Sequence, residues 1–410
     1  MEPTTLFYIL ISILLIKYVL DTFLNNLNAK HFNDKIPNEV SDVYEIDEYQ
    51  KSQSYKITNH NFSKITSLFS LITTLSFFFF DGFSIVDSIA REFSDNIISI
   101  TLIFFGIISI GSDIISIPFS LYKTFVIEEK FGFNKTSKKT FFLDKLKGLF
   151  ITIILGGTIL ALITWFHEFT GVHFWLYAWG LVTLFSVFMN MFYSKLIVPL
   201  FNEQTPLKNG ELKDAITKYT NSVGFKLNNI FIINGSKRST KANAYFSGFG
   251  NQKQITLYDT LIKDLTNDEI VAVLAHEVGH YKKKHLIFNL IVSIIITGIT
   301  LFLLSLFINT PIFSLALGVS IPSFHIGLIS FGILYSPISE ITGMCMNYMS
   351  RKFEYQADNY AKKTFSSKPL ISSLKKLSKN SLSNLTPHHL YVFIHYSHPT
   401  LINRIKNLKQ

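Results

Sequence analysis

With 410 residues, 48% of them hydrophobic, 40 Phe and a mean hydropathy of +0.30, the chain is too apolar for an ordinary soluble enzyme and reads as a membrane protein. Its single cysteine, Cys345, excludes an internal disulfide framework and any thiolate zinc cage, so a metal here must be held by His and carboxylate. The net charge of +10 comes without a nucleic-acid-binding signature, which moves the question to where the positive residues lie.

Crossing a hydrocarbon layer roughly 30 Å thick takes about 20 apolar residues. Such stretches occur near 5–24, 62–81, 96–118, 147–167, 172–194, 286–309 and 322–346. The first contains Lys17 and Asp21, but MEPTT is not a basic leader and no small-residue cleavage site follows, so it reads as a retained anchor. With seven crossings, the segments 25–60, 122–146, 195–284 and 347–410 share one side and carry 34 of the 38 Lys and Arg, while the opposite connections carry only Arg91. The positive-inside rule then makes those segments cytoplasmic and the N-terminus lumenal or external. Topology accounts for the basic balance, with the lipid bilayer as the partner and no nucleic acid. The chain divides into spans one to five with their loops (1–194), a cytoplasmic piece (195–284), spans six and seven (285–346) and a C-terminal cytoplasmic segment (347–410).

The 195–284 piece opens with a Pro- and Gly-punctuated loop before a helix-like stretch in FNEQTPLKNGELKDAITKYTNSVGF. NNIFIING, KANAYFSGF and KQITLYD follow as three short strands. Thr266 and Glu269 then form a capping-box pattern, with Leu265 and Ile270 spaced as a hydrophobic staple, so a helix starts at about Asn267. Farther on, the Ser/Lys/Asn bias of 365–385 predicts a surface loop.

That helix carries LAHEVGHYKKKH. Residues four apart share a helical face, so His276 and His280 can direct two imidazoles at one tetrahedral ion with Glu277 on the adjoining edge. From 12 His and 14 Glu, chance would supply such a pattern roughly 0.01 times per chain. A catalytic zinc takes three protein ligands. The position six residues after His280 is Leu286, and the region some twenty residues on is the sixth span, so the third ligand is not local. After Glu277 the side-chain carboxylates are Glu340, Glu354 and Asp358. Glu340 falls in the seventh apolar run, whereas Glu354 and Asp358, four apart in RKFEYQADNYAKK, sit where the chain re-enters the cytoplasm. Glu354 is therefore the expected third ligand of one Zn2+ per chain, and Asp358 the acceptor that orients a ligand imidazole. Pairing with Arg351, Lys352 or Lys362 on a solvated helix face is the alternative. The ligand set implies peptide-bond hydrolysis without a covalent intermediate, with Glu277 taking the proton of the attacking water and passing it to the leaving amine.

These residues, with FVIEEKFGFNKTS (125–137), LIVPLFNEQTPLKNGEL (196–212), STKANAYFSGFG (239–250), RKFEYQADNYA (351–361) and YSHPTLINRI (396–405), resemble the integral-membrane zinc CAAX prenyl proteases of the a-factor-converting and prelamin A-processing type. The resemblance implies an α-helical integral membrane protein with seven transmembrane helices around a water-filled chamber, joined to a cytoplasmic-side α+β gluzincin-like zinc metalloprotease domain. It repeats His276, His280 and Glu354 as zinc ligands and Glu277 as the catalytic glutamate. It further implies substrate-backbone binding at Asn243 and Ala244 on an edge strand, and a role for His398 and Arg404 in stabilising the substrate carbonyl or oxyanion. Asp113, a carboxylate inside the third apolar run, would then face a wet cavity or a partner. The implied substrates are prenylated CAAX proteins or peptides, cut after the prenylated cysteine and in some relatives at a second site upstream. The implied compartment is the endoplasmic reticulum or inner nuclear membrane, or a bacterial inner membrane. The chain itself ends in NLKQ rather than a C-a-a-X motif, which reads as processor and not cargo. Two other functions share some of these features: a membrane quality-control zinc protease, and a non-catalytic scaffold or transporter with structural zinc. The intact Glu277 speaks against the last.

Overall fold

In the computed structural model, which describes residues 1–225, 227, 229–248 and 253–410, the first half of the chain is helical. It comprises α1 (Pro3–Ala29), α2 (Ile46–Phe79), α3 (Gly82–Phe93), α4 (Ile97–Tyr122), α5 (Lys138–Ile151), α6 (Gly157–Thr170) and α7 (Phe174–Leu196). A mixed region follows with α8 (Val198–Phe201), β1 (Gln204–Pro206), α9 (Glu211–Ser222), β2 (Asn229–Ile233), β3 (Ala244–Ser247), β4 (Gln254–Tyr258), α10 (Asp259–Asp264) and α11 (Asn267–Lys282). The chain ends with α12 (His285–Phe307), α13 (Pro311–Ala316), α14 (Phe324–Thr364), α15 (Ser367–Asn380), α16 (His389–His395) and α17 (Leu401–Lys409).

Among the described residues, six helical runs are long and apolar enough to cross a membrane. One of them, 138–201, has 64 residues, three times what a crossing needs. It folds back at Gly171, where φ is 55°, and α6 packs against α7. That run therefore contains two of the seven stretches expected from hydropathy, and the other five each match one helix.

The helices are packed at their ends and open between them. At one end Leu6 and Leu10 of α1, Phe104 of α4, Phe174 of α7 and Ile326 of α14 form a core with α3 and α13. At the other, Val40, Tyr44 and Tyr49 meet Ile127, Phe131, Leu385 and Ile405, so three of the segments that charge counting put on one side share a core. In between, no span except α14 buries more than 17% of its apolar window, below the roughly one quarter that a core-facing stripe about 100° wide would cover. The bundle is hollow there, and its charges agree. Lys17 of α1 lies against Asp21 and Glu340, and Lys145 stands 3.7 Å from Asp113. All five are partly exposed, as intramembrane charges facing water rather than lipid should be. Asp113 thus has both a partner and a cavity, one of 1020 Å³ between α4 and the 149–161 region.

The sheet has the order β1-β2-β4-β3. β2 pairs parallel with β4 (Ile230 opposite Ile255), and β1 and β3 flank them antiparallel (Gln204 opposite Ile233, Ala244 opposite Leu257). Buried Ile255 and Leu257 make β4 the core strand, packed with Ile270, Val271 and Leu274 of α11. The three expected strands are present, and β1 is an addition; Asn228 and Phe249, at the ends of two of those readings, lie outside the described residues.

One expectation is corrected. Residues 365–385 are mostly helix α15 and not a surface loop. Leu370, Leu374 and Leu377 recur at helical spacing and pack on the α11 core, while the Ser, Lys and Asn that suggested a loop occupy the rest of its surface.

Candidate metal centre

Helix α11 starts at Asn267 because its first turn is satisfied locally. The Thr266 hydroxyl accepts the Glu269 N–H at 3.4 Å and the Glu269 carboxylate accepts the Thr266 N–H at 2.8 Å, while Leu265 and Ile270 are both buried. Glu269 also accepts from Ser372 and Lys376, which fixes α15 against the start of α11.

Close approach of α11 to α14 then builds the site. Gly279 makes this possible, because a Cβ there would lie 3.0 Å from the Ala357 Cα and 3.1 Å from its carbonyl oxygen. At that separation Glu354, one turn before Ala357, reaches the α11 histidines. His276 Nε2 and His280 Nε2 are 3.1 Å apart, and the Glu354 carboxylate lies 3.4 Å from the first and 3.2 Å from the second. Donors on a tetrahedral ion with bonds of roughly 2.0–2.1 Å would be separated by about 3.3 Å; the two imidazole nitrogens stand near that separation, and a carboxylate oxygen stands near it from each, Oε2 for His276 and Oε1 for His280. A second observation agrees: Glu354 Oε2 is buried with no hydrogen bond among the described residues, His276 Nε2 and Arg404 Nη1 both standing off at 3.4 Å, which leaves a lone pair that an ion could take. Among the described residues His276, His280 and Glu354 form the one group able to hold a metal. Glu340 is elsewhere, against Lys17. Arg351 donates to the carbonyls of Val392 and Tyr396, so the alternative of a surface ion pair with Glu354 is not what forms.

The expected supporting residue is in contact. Asp358, fully buried, lies 2.9 Å from His276 Nδ1 through Oδ1, and Arg404 grips both of its oxygens through Nε (2.9 Å) and Nη2 (2.5 Å). With its Nδ1–H given to Asp358, His276 keeps the Nε2 lone pair for the ion. Burial pulls the His276 pKa down, but the Asp358 and Glu354 carboxylates beside its two ring nitrogens outweigh it and raise it to about 9 when no ion is bound. Arg404 was expected to act on the substrate. Two of its three nitrogens are committed to Asp358, and the third, Nη1, stands 3.4 Å from Glu354.

Glu277 is half-buried, makes no hydrogen bond or ion pair among the described residues, and lines the same 510 Å³ cavity as the three ligand candidates. His398, 63% exposed in the α16–α17 connection, approaches with Nε2 at 3.4 Å from Glu354. Asn243 and Ala244 also line this cavity, at the start of β3, whose second edge carries no strand among the described residues. A second cavity of 770 Å³ shares Asn243, Phe246 and Leu286 with the first and adds Tyr193, Tyr245 and Tyr258.

The sequence reading did not anticipate His285, which is buried beside His280, nor Gln356, which it contacts. The only signal was a third histidine five residues beyond the motif.

Comparison with known proteins gives a consistent result. The family described as CAAX prenyl protease N-terminal, five membrane helices, matches residues 25–203, and peptidase family M48 matches 206–410. A CAAX prenyl protease 1 homolog of Arabidopsis thaliana is 33% identical, with 97% of this chain and 96% of that one aligned. The CAAX prenyl protease 1 of Saccharomyces cerevisiae is 34% identical over 91% and 88% of the two chains. The crystal structure of S. mikatae Ste24p superposes with a TM-score of 0.94, at 31% identity and 99% coverage of both chains.

Proposed function

From the premise that this chain belongs to the CAAX prenyl protease family of M48 membrane metallopeptidases, we propose that it is a zinc-dependent endopeptidase that removes the C-terminal aaX tripeptide from prenylated CAAX proteins. The observation that carries the chemistry is the convergence of His276, His280 and Glu354 within reach of one ion, beside a carboxylate, Glu277, that makes no hydrogen bond or ion pair among the described residues.

His276 and His280 would bind zinc through Nε2 and Glu354 through its carboxylate. When bound, zinc polarises the scissile carbonyl and acidifies the attacking water. Glu277 takes that water's proton and returns it to the leaving amine. Asp358 holds the His276 ring in its ligand tautomer, and Arg404 holds Asp358. His398, exposed at the cavity rim with Nε2 3.4 Å from Glu354, would turn toward the carbonyl oxygen as charge develops on it.

The free edge of β3 orients the peptide. A substrate strand added there, at Asn243 and Ala244, would hydrogen-bond through its backbone. Because successive side chains of a strand point to opposite faces, they would enter the metal cavity and the tyrosine-rich cavity in turn. The hollow bundle offers apolar walls to a prenyl chain, and its paired charges would keep its interior wet.

In this reading residues 1–194 and 285–346 form the chamber, 195–284 the protease fold, and 347–410 completes the ligand set. In this reading the protein resides in the endoplasmic reticulum membrane, and the distribution of Lys and Arg supports a lumenal N-terminus with the catalytic face and C-terminus cytoplasmic.

The test is purified protein with a farnesylated C-a-a-X peptide and its unprenylated twin, with and without chelator, the products read by mass. Loss of three residues, abolished by chelator and much faster on the farnesylated peptide, is expected. Equal rates on the two peptides would favour the quality-control protease, and no metal-dependent cut on either would contradict the reading.

A further inference from the structure

The turn that follows the metal helix has an unusual backbone. Lys284 adopts φ 60° and ψ 27°, a left-handed conformation that favours glycine and is costly for a side chain with a Cβ. Its result is that α12 begins with His285 directed back at α11. His285 is 4% exposed; its Nδ1 lies 3.0 Å from His280 Nδ1, and its Nε2 lies 3.0 Å from the Gln356 amide oxygen. The ring also stacks on Phe353, with centroids 4.1 Å apart at 11°. Phe353 directly precedes Glu354, so one imidazole touches both ligand-bearing helices.

The hydrogen-bond directions follow from what each atom can do. Gln356 presents an acceptor to His285 Nε2, so that nitrogen carries the proton in the neutral ring and Nδ1 is left as an acceptor. An acceptor facing His280 Nδ1 requires a proton there, which leaves the lone pair of His280 on Nε2. That is the atom 3.1 Å from His276 Nε2 and 3.2 Å from Glu354. The opposite arrangement would put the His280 proton on Nε2 and block the ligand position.

We infer that His285, oriented by Gln356, is a positioning residue that fixes the tautomer and ring angle of His280, as Asp358 does for His276. The inference rests on reading His280 as a metal ligand. The two histidines would then be set by different chemistry, a buried carboxylate for one and a neutral imidazole–amide pair for the other.

The test uses the full chain, stripped of metal and titrated with Zn2+ against a chromophoric chelator, with Co2+ absorption as a second readout. His285→Phe keeps the stack on Phe353 but has no acceptor, and should weaken zinc binding about 10- to 100-fold and alter the Co2+ spectrum, with the metal-free melting temperature unchanged. His285→Asn returns an oxygen near the Nδ1 position and should recover most of the affinity. Gln356→Leu, on the exposed side of the relay, should weaken binding in the same direction. Zinc affinity of His285→Phe equal to that of the parent, or Phe and Asn variants equally weak with equally lowered metal-free melting temperatures, would overturn the inference. If His285→Phe does not fold, Gln356→Leu decides it, unchanged affinity counting against. Retention of zinc by His280→Ala would instead overturn the ligand reading beneath it.

Discussion

Two buried His–Asp–Arg clusters touch the long helix α14, one at each end, and only one has the makings of a reaction centre. At the start of α14, His325 Nε2 lies 2.7 Å from Asp87, which also takes Arg91 Nε at 2.8 Å, and Arg91 bonds Ser323. Near its other end, His276 Nδ1 lies 2.9 Å from Asp358, which takes Arg404 through two nitrogens. The pairwise chemistry is the same. What differs is the second ring nitrogen. His325 Nδ1 has no hydrogen-bond partner among the described residues, and the ring packs on Phe104 inside the apolar closure of the bundle. His276 Nε2 meets a second imidazole and a carboxylate at the edge of a cavity. A buried charged triad is therefore no signature of catalysis. Convergence of further donors on the free nitrogen is.

That distinction can be broken or sharpened by experiment. The largest effect is expected at the reacting end: Glu277→Gln should lower turnover by about 10²- to 10⁴-fold while zinc content stays at one per chain, and unchanged turnover would remove Glu277 from the proton path. At the closed end, Asp87→Asn leaves Arg91 without its buried partner and should destabilise the protein by about 3–5 kcal/mol, read by thermal unfolding in detergent. Its zinc affinity should equal that of the parent, and a loss there would show that the two clusters are coupled. Gly279→Ala should destabilise by about 1–3 kcal/mol through overpacking, because the new methyl meets the backbone of Ala357 and the Cβ of Tyr360, neither of which can swing aside. It should also weaken zinc binding, since the helices separate at the point that brings in Glu354.

The smallest effect concerns pH. His276 is raised to about 9 in the metal-free protein, so its contribution to stability is complete below its unfolded value near 6.5 and is lost as pH rises through about 9. Zinc must displace that proton, so apparent affinity should rise about tenfold per pH unit and level off near pH 9. A flat profile between pH 7 and 9 would show that His276 is already neutral.

What the sequence disclosed follows the range of the interaction. The capping box and staple that start α11 are contained within six residues, and they formed as expected. Glu354 lies 77 residues after Glu277, yet elimination pointed to it because so few carboxylates remained in the chain, and the fold brings it beside both histidines. Asn243, His398 and Arg404 offered no spacing to read, and only the family resemblance pointed to them. The relay through His285 was hidden because it depends on a left-handed lysine and on a partner 71 positions away. Helix α15 was misread because composition outweighed the Leu370, Leu374, Leu377 stripe, which becomes meaningful only once α11 is there to cover it.

The central claim is that α11 and α14 jointly hold one ion. Zinc-edge X-ray absorption on purified full-length protein, with elemental analysis of the same sample, tests it most directly. The account predicts one zinc per chain bound by two imidazole nitrogens and a carboxylate oxygen, with the carboxylate contribution lost in Glu354→Ala. A folded protein without zinc, or a ligand shell unchanged by that substitution, would contradict it.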